Sequence, residues 1–366
     1  MGTDINFLYY LDILYDERLN KEKGYNGIAR GSSGLLLCSV QRYVETREIE
    51  DKNEVYTLID RLTCQPINYC SFGYGLAGFA WIINSIKKVD LYKNVNEWLE
   101  EYDTILEKYY QLMLYKKDLD YFRGASGILF YFLERGFLHK NIIKPYVDCL
   151  HERENGILPS YYIGRDKNNI NLGTPHGITG VILILLKIKE QGVYPVDSLI
   201  MDLLDELLSF QRIECSYHFP GTVSGENESE SGLAWCYGDL MVSYAILKAG
   251  LLLHKKKYVD LVYPIMAELA HRKDCSDKLV LCHGYTSTSL VLRKMYDLTK
   301  DKALYNASIK WQKRAINTFH RRFEMYQKEQ SNANYFGNTS LFYGFPGVLL
   351  SFGGIFRRDC EKSLLL

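Results

Sequence analysis

The chain has no excess charge of either sign. Its 366 residues carry 44 Lys and Arg against 44 Asp and Glu, a formal net charge of zero, with no dense basic block. That excludes the electrostatic footprint of a nucleic-acid-binding protein. Long apolar runs are also missing. The longest, from Val181 to Leu186 and on to Ile188, falls well short of the roughly 20 residues needed to span a bilayer. The N-terminal stretch MGTDINFLYYLDILYDERLN has no basic lead-in and no small-residue cleavage site, so it reads as an amphipathic helix and not as a secretory signal. Nine cysteines, an odd number at irregular spacing, do not make a disulfide framework. The expectation is a cytoplasmic protein whose thiols are core residues, ligands or nucleophiles, with Cys38 and Cys149 as buried filler. Strand-like alternation is absent except over Ile157–Ile163, which reads as an extended loop.

What the chain does have is apolar material, 47% of its residues, and a repeat. Seven times a small Gly/Ser motif opens an apolar run, at Gly31 (GSSG), Gly75 (GLAG), Gly124 (GASG), Gly177 (GITG), Gly238 (GDLM), Gly284 (GYTS) and Gly344 (GFPG). Successive copies stand roughly 44 to 61 residues apart, room for two helices and their loops. The run after each motif reads as a helix buried nearly all round. The segments between, such as Val95–Leu114, Val196–Phe210, Tyr258–Arg272 and Lys302–Phe319, have apolar residues at three- and four-residue steps with charges between, the mark of amphipathic helices. Alternating buried and amphipathic helices predict an all-α fold of two layers. Seven pairs closing on themselves give an α/α toroid of seven inner and seven outer helices, a single domain over 1–366. Glycines at the helix starts let backbones crowd near the ring axis. Inner helices that begin at one end would converge with their partial positive charge and unpaired N–H groups, favouring anionic chemistry there.

A fixed register in a repeat is a fixed place in space. Just upstream of four consecutive motifs lie Asp120, His176, Cys236, and Cys282 with His283. The other three copies are preceded by Arg30, Tyr74 and Tyr343 and read as structural. Cys236, Cys282 and His283 belong to neighbouring repeats. Two thiolates and an imidazole suit Zn²⁺, and three protein ligands leave a fourth position open, as in catalytic sites. Packing of these residues in an apolar core is the competing reading. His176 is a candidate general acid or base, since an unperturbed imidazole titrates near neutrality. Asp120 either orients that imidazole and moves a proton or caps the following helix. His218 borders the fifth motif without a specific signature. The acidic segment Gly225–Gly232 reads as a solvated loop on the rim of the metal site.

These residues resemble the lanthionine cyclase (LanC) and LanC-like family. The resemblance rests on Trp235-Cys236-Tyr237-Gly238, Cys282-His283-Gly284, His176-Gly177-Ile178-Thr179-Gly180 and the flanking glycine repeats, and runs from about Gly31 to Gly347. It implies an α/α toroid, zinc ligands at Cys236, Cys282 and His283, and a catalytic His176 and Asp120. It implies a lanthionine synthetase activity: a zinc-activated cysteine thiolate of a dehydrated precursor peptide adds to dehydroalanine or dehydrobutyrine, giving a lanthionine or methyllanthionine ring. A separate dehydratase, an exporter, and peripheral association with a membrane through a biosynthetic complex are the partners and location that follow. The chain departs from the family where an Arg is common four residues before the first zinc Cys; here Gly232 stands there, and Arg212 is the candidate to replace it. Met241 and Ser287 occupy positions usual for glycine. The even intervals leave little room for the small peptide-binding subdomain that one branch of the family carries. Two other readings compete: a non-catalytic zinc and thiol binding protein, for peptide or glutathione, on the same scaffold, and a protein prenyltransferase subunit. The absence of an Asp in the ligand set counts against the second.

Overall fold

The computed structural model describes residue 10 and residues 26–64, 68–91, 95–137, 139–152, 169–213, 216–224, 227–229, 232–273, 278–329 and 333–366. The expected N-terminal helix, apart from Tyr10, and the Ile157–Ile163 loop lie outside the described residues. Among the described residues the helices come in order as α1 (Ser33–Thr46), α2 (Ile49–Thr63), α3 (Leu76–Ile86), α4 (Val95–Tyr115), α5 (Ala125–Arg135), α6 (Lys140–His151), α7 (Ile178–Gln191), α8 (Asp197–Leu208), α9 (Asp239–Leu252), α10 (Lys256–His271), α11 (Tyr285–Thr299), α12 (Lys302–Glu329), the short α13 (Ala333–Phe336), α14 (Phe345–Phe352) and α15 (Arg357–Ser363). Helices α3, α5, α7, α9, α11 and α14 each begin directly after a motif glycine, α1 begins two residues after Gly31, and a second helix follows each of the seven. No helix among the described residues is long and apolar enough to cross a membrane.

The two helix types bury differently, as their sequences dictate. In α7 every residue from Ile178 to Leu186 is buried, and in α9 every residue from Asp239 to Leu247. Helix α8 buries only Leu199, Ile200, Leu203, Leu204 and Leu207, one stripe at three- and four-residue steps. Each such leucine contributes roughly 1.5–3 kcal/mol on leaving water.

The chain divides into two compact units. One comprises residues 1–109, 279–281 and 313–364. Within it α14 packs on α1 and α1 on α3, so the last and first repeats are direct neighbours. The other comprises residues 110–278, 282–312 and 365–366. Within it the motif helices pack in sequence, α5 on α7, α7 on α9 and α9 on α11, while α6, α8 and α10 each pack on the motif helix before them.

The motif glycines crowd lead-in loops, their own at Gly75, Gly124, Gly177, Gly284 and Gly344 and that of the seventh repeat at Gly34. A Cβ on Gly177 would stand 2.0 Å from the Asn171 carbonyl oxygen, and one on Gly180 would stand 2.0 Å from that of Thr174. The loop carbonyls also reach the helix starts. Leu76 N–H donates to Tyr69 O at 2.9 Å, Ala125 N–H to Asp118 O at 2.8 Å, and Tyr285 N–H to Lys278 O at 3.0 Å. At these three helices the first N–H is therefore satisfied, contrary to the expectation of unpaired groups. The first glycines of the motifs fall into two backbone conformations, with Gly31 at φ +108°. Gly238 and Gly284 have φ of +100° and +123°, a region that L side chains avoid, whereas Gly75 and Gly177 are extended. Met241 and Ser287 stand three residues after Gly238 and Gly284 and are fully buried.

Three short antiparallel strands were not expected from the sequence: β1 (Asn169–Asn171), β2 (Thr222–Ser224) and β3 (Asn227–Glu228), in the order β1-β2-β3. Asn169 pairs with Ser224 and Val223 with Glu228. Part of the acidic 225–232 segment is thus strand, and the sheet ties the approach to His176 to the approach to Cys236.

Candidate metal and proton-transfer site

Backbone hydrogen bonds string the lead-ins of the third to sixth repeats together. Tyr121 N–H donates to Pro175 O at 2.9 Å, Thr174 N–H to Cys236 O at 2.9 Å, and Cys236 N–H to Cys282 O at 3.1 Å. Ala234 and His283 add an antiparallel bridge. Each donor or acceptor stands within a few residues of its motif glycine, so this rail converts the sequence register into proximity. Residues 120, 176, 236, 282 and 283 all fall in one compact unit.

Cys236, Cys282 and His283 come together as the sequence predicts. Their two Sγ atoms and an imidazole nitrogen lie within 4.8 Å of one another, the scale set by ligands about 2.0–2.3 Å from a common ion. Among the described residues no fourth His, Cys, Asp or Glu belongs to this cluster. Both thiols are largely withdrawn from water. The hydrogen bond with Cys282 brings the Cys236 thiol down to about 5 from an ordinary 9.0, against desolvation and with further help from His283. A buried thiolate at neutral pH next to a second sulfur and an imidazole is a donor set for a soft or borderline cation such as zinc. The residues present fit that ion. By contrast Cys38 and Cys149 are buried thiols pushed upward by desolvation, inert packing as expected.

His176 and Asp120 form a buried pair. The His176 Nδ1 to Asp120 Oδ2 distance is 2.6 Å. The other carboxylate oxygen, Oδ1, accepts from the N–H groups of Phe122 at 2.7 Å and Arg123 at 2.8 Å. Asp120 therefore closes its own turn and holds the imidazole at once. It does not cap α5, whose first N–H goes to Asp118. Phe122 packs its ring perpendicular to His176 and also meets Trp235.

Sequence reasoning missed the residues that hold the loop bearing Cys236. Asp239, the first residue of α9, is fully buried. Its carboxylate accepts from the N–H groups of His218 and Phe219, the latter at 2.7 Å, and pairs with Arg272 Nη2 at 2.6 Å. His218 thereby anchors the loop through its backbone while its ring bonds Glu268 at 2.8 Å. An acidic residue at a helix start was the available signal; its distant partner Arg272 had none. Asn171, on β1, donates to the Tyr237 hydroxyl at 3.3 Å. Arg212 is committed to Glu228 through Nε and Nη2 and to the Phe210 carbonyl. Gly232 is exposed, and a Cβ there would meet open space.

Known proteins share this architecture. The chain is 25% identical over 315 residues to the nisin biosynthesis protein NisC of Lactococcus lactis subsp. lactis, covering 74% of this chain and 75% of the relative. Its structure superposes on that of a nisin cyclase with a TM-score of 0.77 at 19% identity, covering 98% of this chain and 96% of the other. That likeness places the fold in the expected α/α toroid class. The family model of lanthionine synthetase C-like proteins matches residues 22–359. Nearly the whole chain, its seven motifs included, falls within that match, and the protein belongs to the lanthionine synthetase C-like family.

Proposed function

We propose that this protein is a zinc-dependent lanthipeptide cyclase, closing thioether rings in a dehydrated precursor peptide. The observation that carries the reading is the cluster of Cys236, Cys282 and His283, hydrogen-bonded through Cys236 O to the loop that bears His176. The likeness to a nisin biosynthesis protein supports it. In this reading 1–366 is one catalytic domain, consistent with a family match over 22–359.

Cys236, Cys282 and His283 would hold the zinc, which when bound acts as a Lewis acid keeping a substrate cysteine in its thiolate form. The chemistry is an addition. A bond forms between the substrate sulfur and the β-carbon of dehydroalanine or dehydrobutyrine, the π pair moves to the α-carbon, and a proton is delivered there. The thiol proton lost equals the proton gained, so the product keeps the mass of its substrate. His176 is the proton donor. The Asp120 carboxylate holds the ring through Nδ1, and delivery of the proton falls to Nε2. The buried setting of the pair excludes bulk water from competing for that proton.

The peptide arrives already dehydrated by a separate enzyme and leaves through an exporter. The working location is the cytoplasm, at the membrane through that complex. The test is incubation of the zinc-loaded protein with dehydrated precursor peptides encoded beside its gene. Loss of alkylatable thiol at constant mass is the expected result; an unchanged thiol count against every cognate peptide would leave only metal binding.

A further inference from the structure

The hydrogen bond at Nδ1 fixes one point of the His176 imidazole. The ring can still tilt about that contact, and Nε2 sweeps with it. A ring packed against the imidazole restricts that tilt, and Phe122 is such a ring, reaching Asp120, His176 and Trp235. Phe122 is fully buried. Its backbone N–H donates to Asp120 Oδ1 at 2.7 Å. Its ring stands 5.8 Å from the His176 ring at 87° and 5.6 Å from the Trp235 ring at 33°. Trp235, also fully buried, is the residue immediately before Cys236. The neighbouring Tyr121 N–H is bonded to Pro175 O, just before His176, so the backbone carrying Phe122 is tied to the one carrying the imidazole.

We infer that Phe122 is a positioning residue for His176: its N–H sets the carboxylate, its ring edge-to-face with the imidazole sets the tilt, and its contact with Trp235 refers that tilt to the metal loop. The bland alternative is an aromatic filling core volume, and the two differ in what substitution does. Filling alone is satisfied by an aliphatic side chain of similar size; aiming needs the ring, since edge-to-face pairing is specific to aromatic partners. The inference rests on His176 being the proton donor, but the geometry it asserts can be read without substrate.

The experiment uses the full-length zinc-loaded chain labelled with ¹⁵N-histidine, His176 being identified by the signal lost in His176→Gln. Wild type should show a single tautomer protonated at Nδ1. Phe122→Leu and the longer, unbranched and equally ring-less Phe122→Met should both show mixed or shifted His176 nitrogens at wild-type zinc content, and Phe122→Tyr should keep the wild-type pattern. With a dehydrated precursor peptide the ring-less variants should lose roughly tenfold in kcat with KM unchanged. Unchanged His176 nitrogens in both ring-less variants would overturn the inference, as would loss of zinc in both, which would assign the ring to the metal loop instead. If wild type closes no ring while Phe122→Leu still disturbs His176, the cyclase reading fails and the positioning stands.

Discussion

His176 Nδ1 and Asp120 Oδ2 meet at 2.6 Å with both side chains almost wholly buried. The same carboxylate is held by two backbone N–H groups, so its place does not depend on the imidazole. Asp120→Asn keeps an acceptor for those N–H groups and puts a neutral amide against Nδ1. In the proposed mechanism the ring that delivers the proton then loses the charged partner that holds it. Ring closure is expected to slow by roughly 10²-fold, within the range of general acid catalysis, while zinc content and melting temperature stay near wild type. Steady-state kinetics with parallel metal analysis check this; a rate within twofold of wild type would remove Asp120 from the mechanism.

The metal cluster makes a prediction in pH. The folded Cys236 thiol lies at about 5, below its ordinary 9.0, so folding favours the thiolate. A depressed folded value gives stabilisation that is full above the unfolded thiol's value, declines as pH falls, and is gone below about 5. Metal retention needs the same thiolate. Bound zinc is expected to be held at pH 7 and released in acid, below the metal-free thiol's value because the ion competes with the proton, read by dialysis at stepped pH. Cys282→Ala removes both a ligand and the principal hydrogen bond that lowers Cys236, and should hold no zinc even at pH 8. Full occupancy in that variant would contradict the ligand set.

The gathering of Cys236, Cys282 and His283 was legible because a motif glycine marks a fixed point in each repeat, and the ligands sit one or two residues from it. The helices were legible for the same reason: nine consecutive buried residues in α7 and a five-residue stripe in α8 leave different traces in a sequence. The sheet was not, since strands of two or three residues are too short to show alternation. Nor was the split between extended glycines such as Gly75 and Gly177 and the positive φ of Gly31, Gly238 and Gly284, which the motifs do not distinguish. Pairs such as Asp239 with Arg272 are set by tertiary packing across more than thirty positions, and no local pattern encodes them.

Glycine substitutions separate backbone need from motif likeness. Gly284 has φ +123°, and a Cβ there would lie 1.9 Å from the Lys278 carbonyl oxygen. Gly284→Ala combines strain with a clash and is expected to cost about 3 kcal/mol or more, and to weaken zinc binding, because the shift begins one residue from His283. Gly232, where a Cβ meets nothing within 4 Å, should accept Ala within about 0.5 kcal/mol. Urea unfolding of the two variants decides this; equal midpoints would show that the sixth lead-in is softer than its geometry implies.

Gly232 also separates two ways of losing the family arginine. Its open surroundings should admit Gly232→Arg with little change in unfolding midpoint. Arg212 is already engaged with Glu228 and the Phe210 carbonyl, so Arg212→Ala is expected to cost about 1 kcal/mol of stability and leave kcat near wild type. A large fall in kcat at unchanged stability would instead make Arg212 the functional substitute for the missing arginine.

The carboxylate of Asp239 is buried three residues beyond Cys236, and Arg272, whose side chain is 19% exposed, is its ionic partner. Removing one member of a buried pair leaves the other charge without compensation, at a cost of roughly 3–5 kcal/mol. Here the N–H groups of His218 and Phe219 still serve Asp239, which argues for the lower end, about 3 kcal/mol, for Arg272→Ala. Asp239→Asn on that background neutralises the stranded carboxylate and keeps an acceptor for both N–H groups, so the double variant should recover part of the loss, a positive coupling measurable in a double-mutant cycle. Because Asp239 opens the helix that follows the metal loop, the single variant should also release zinc to a competing chelator faster than wild type, and the double variant should restore much of that retention. Stability losses that simply add, with zinc release unchanged throughout, would show that the pair braces α9 and α10 without bearing on Cys236.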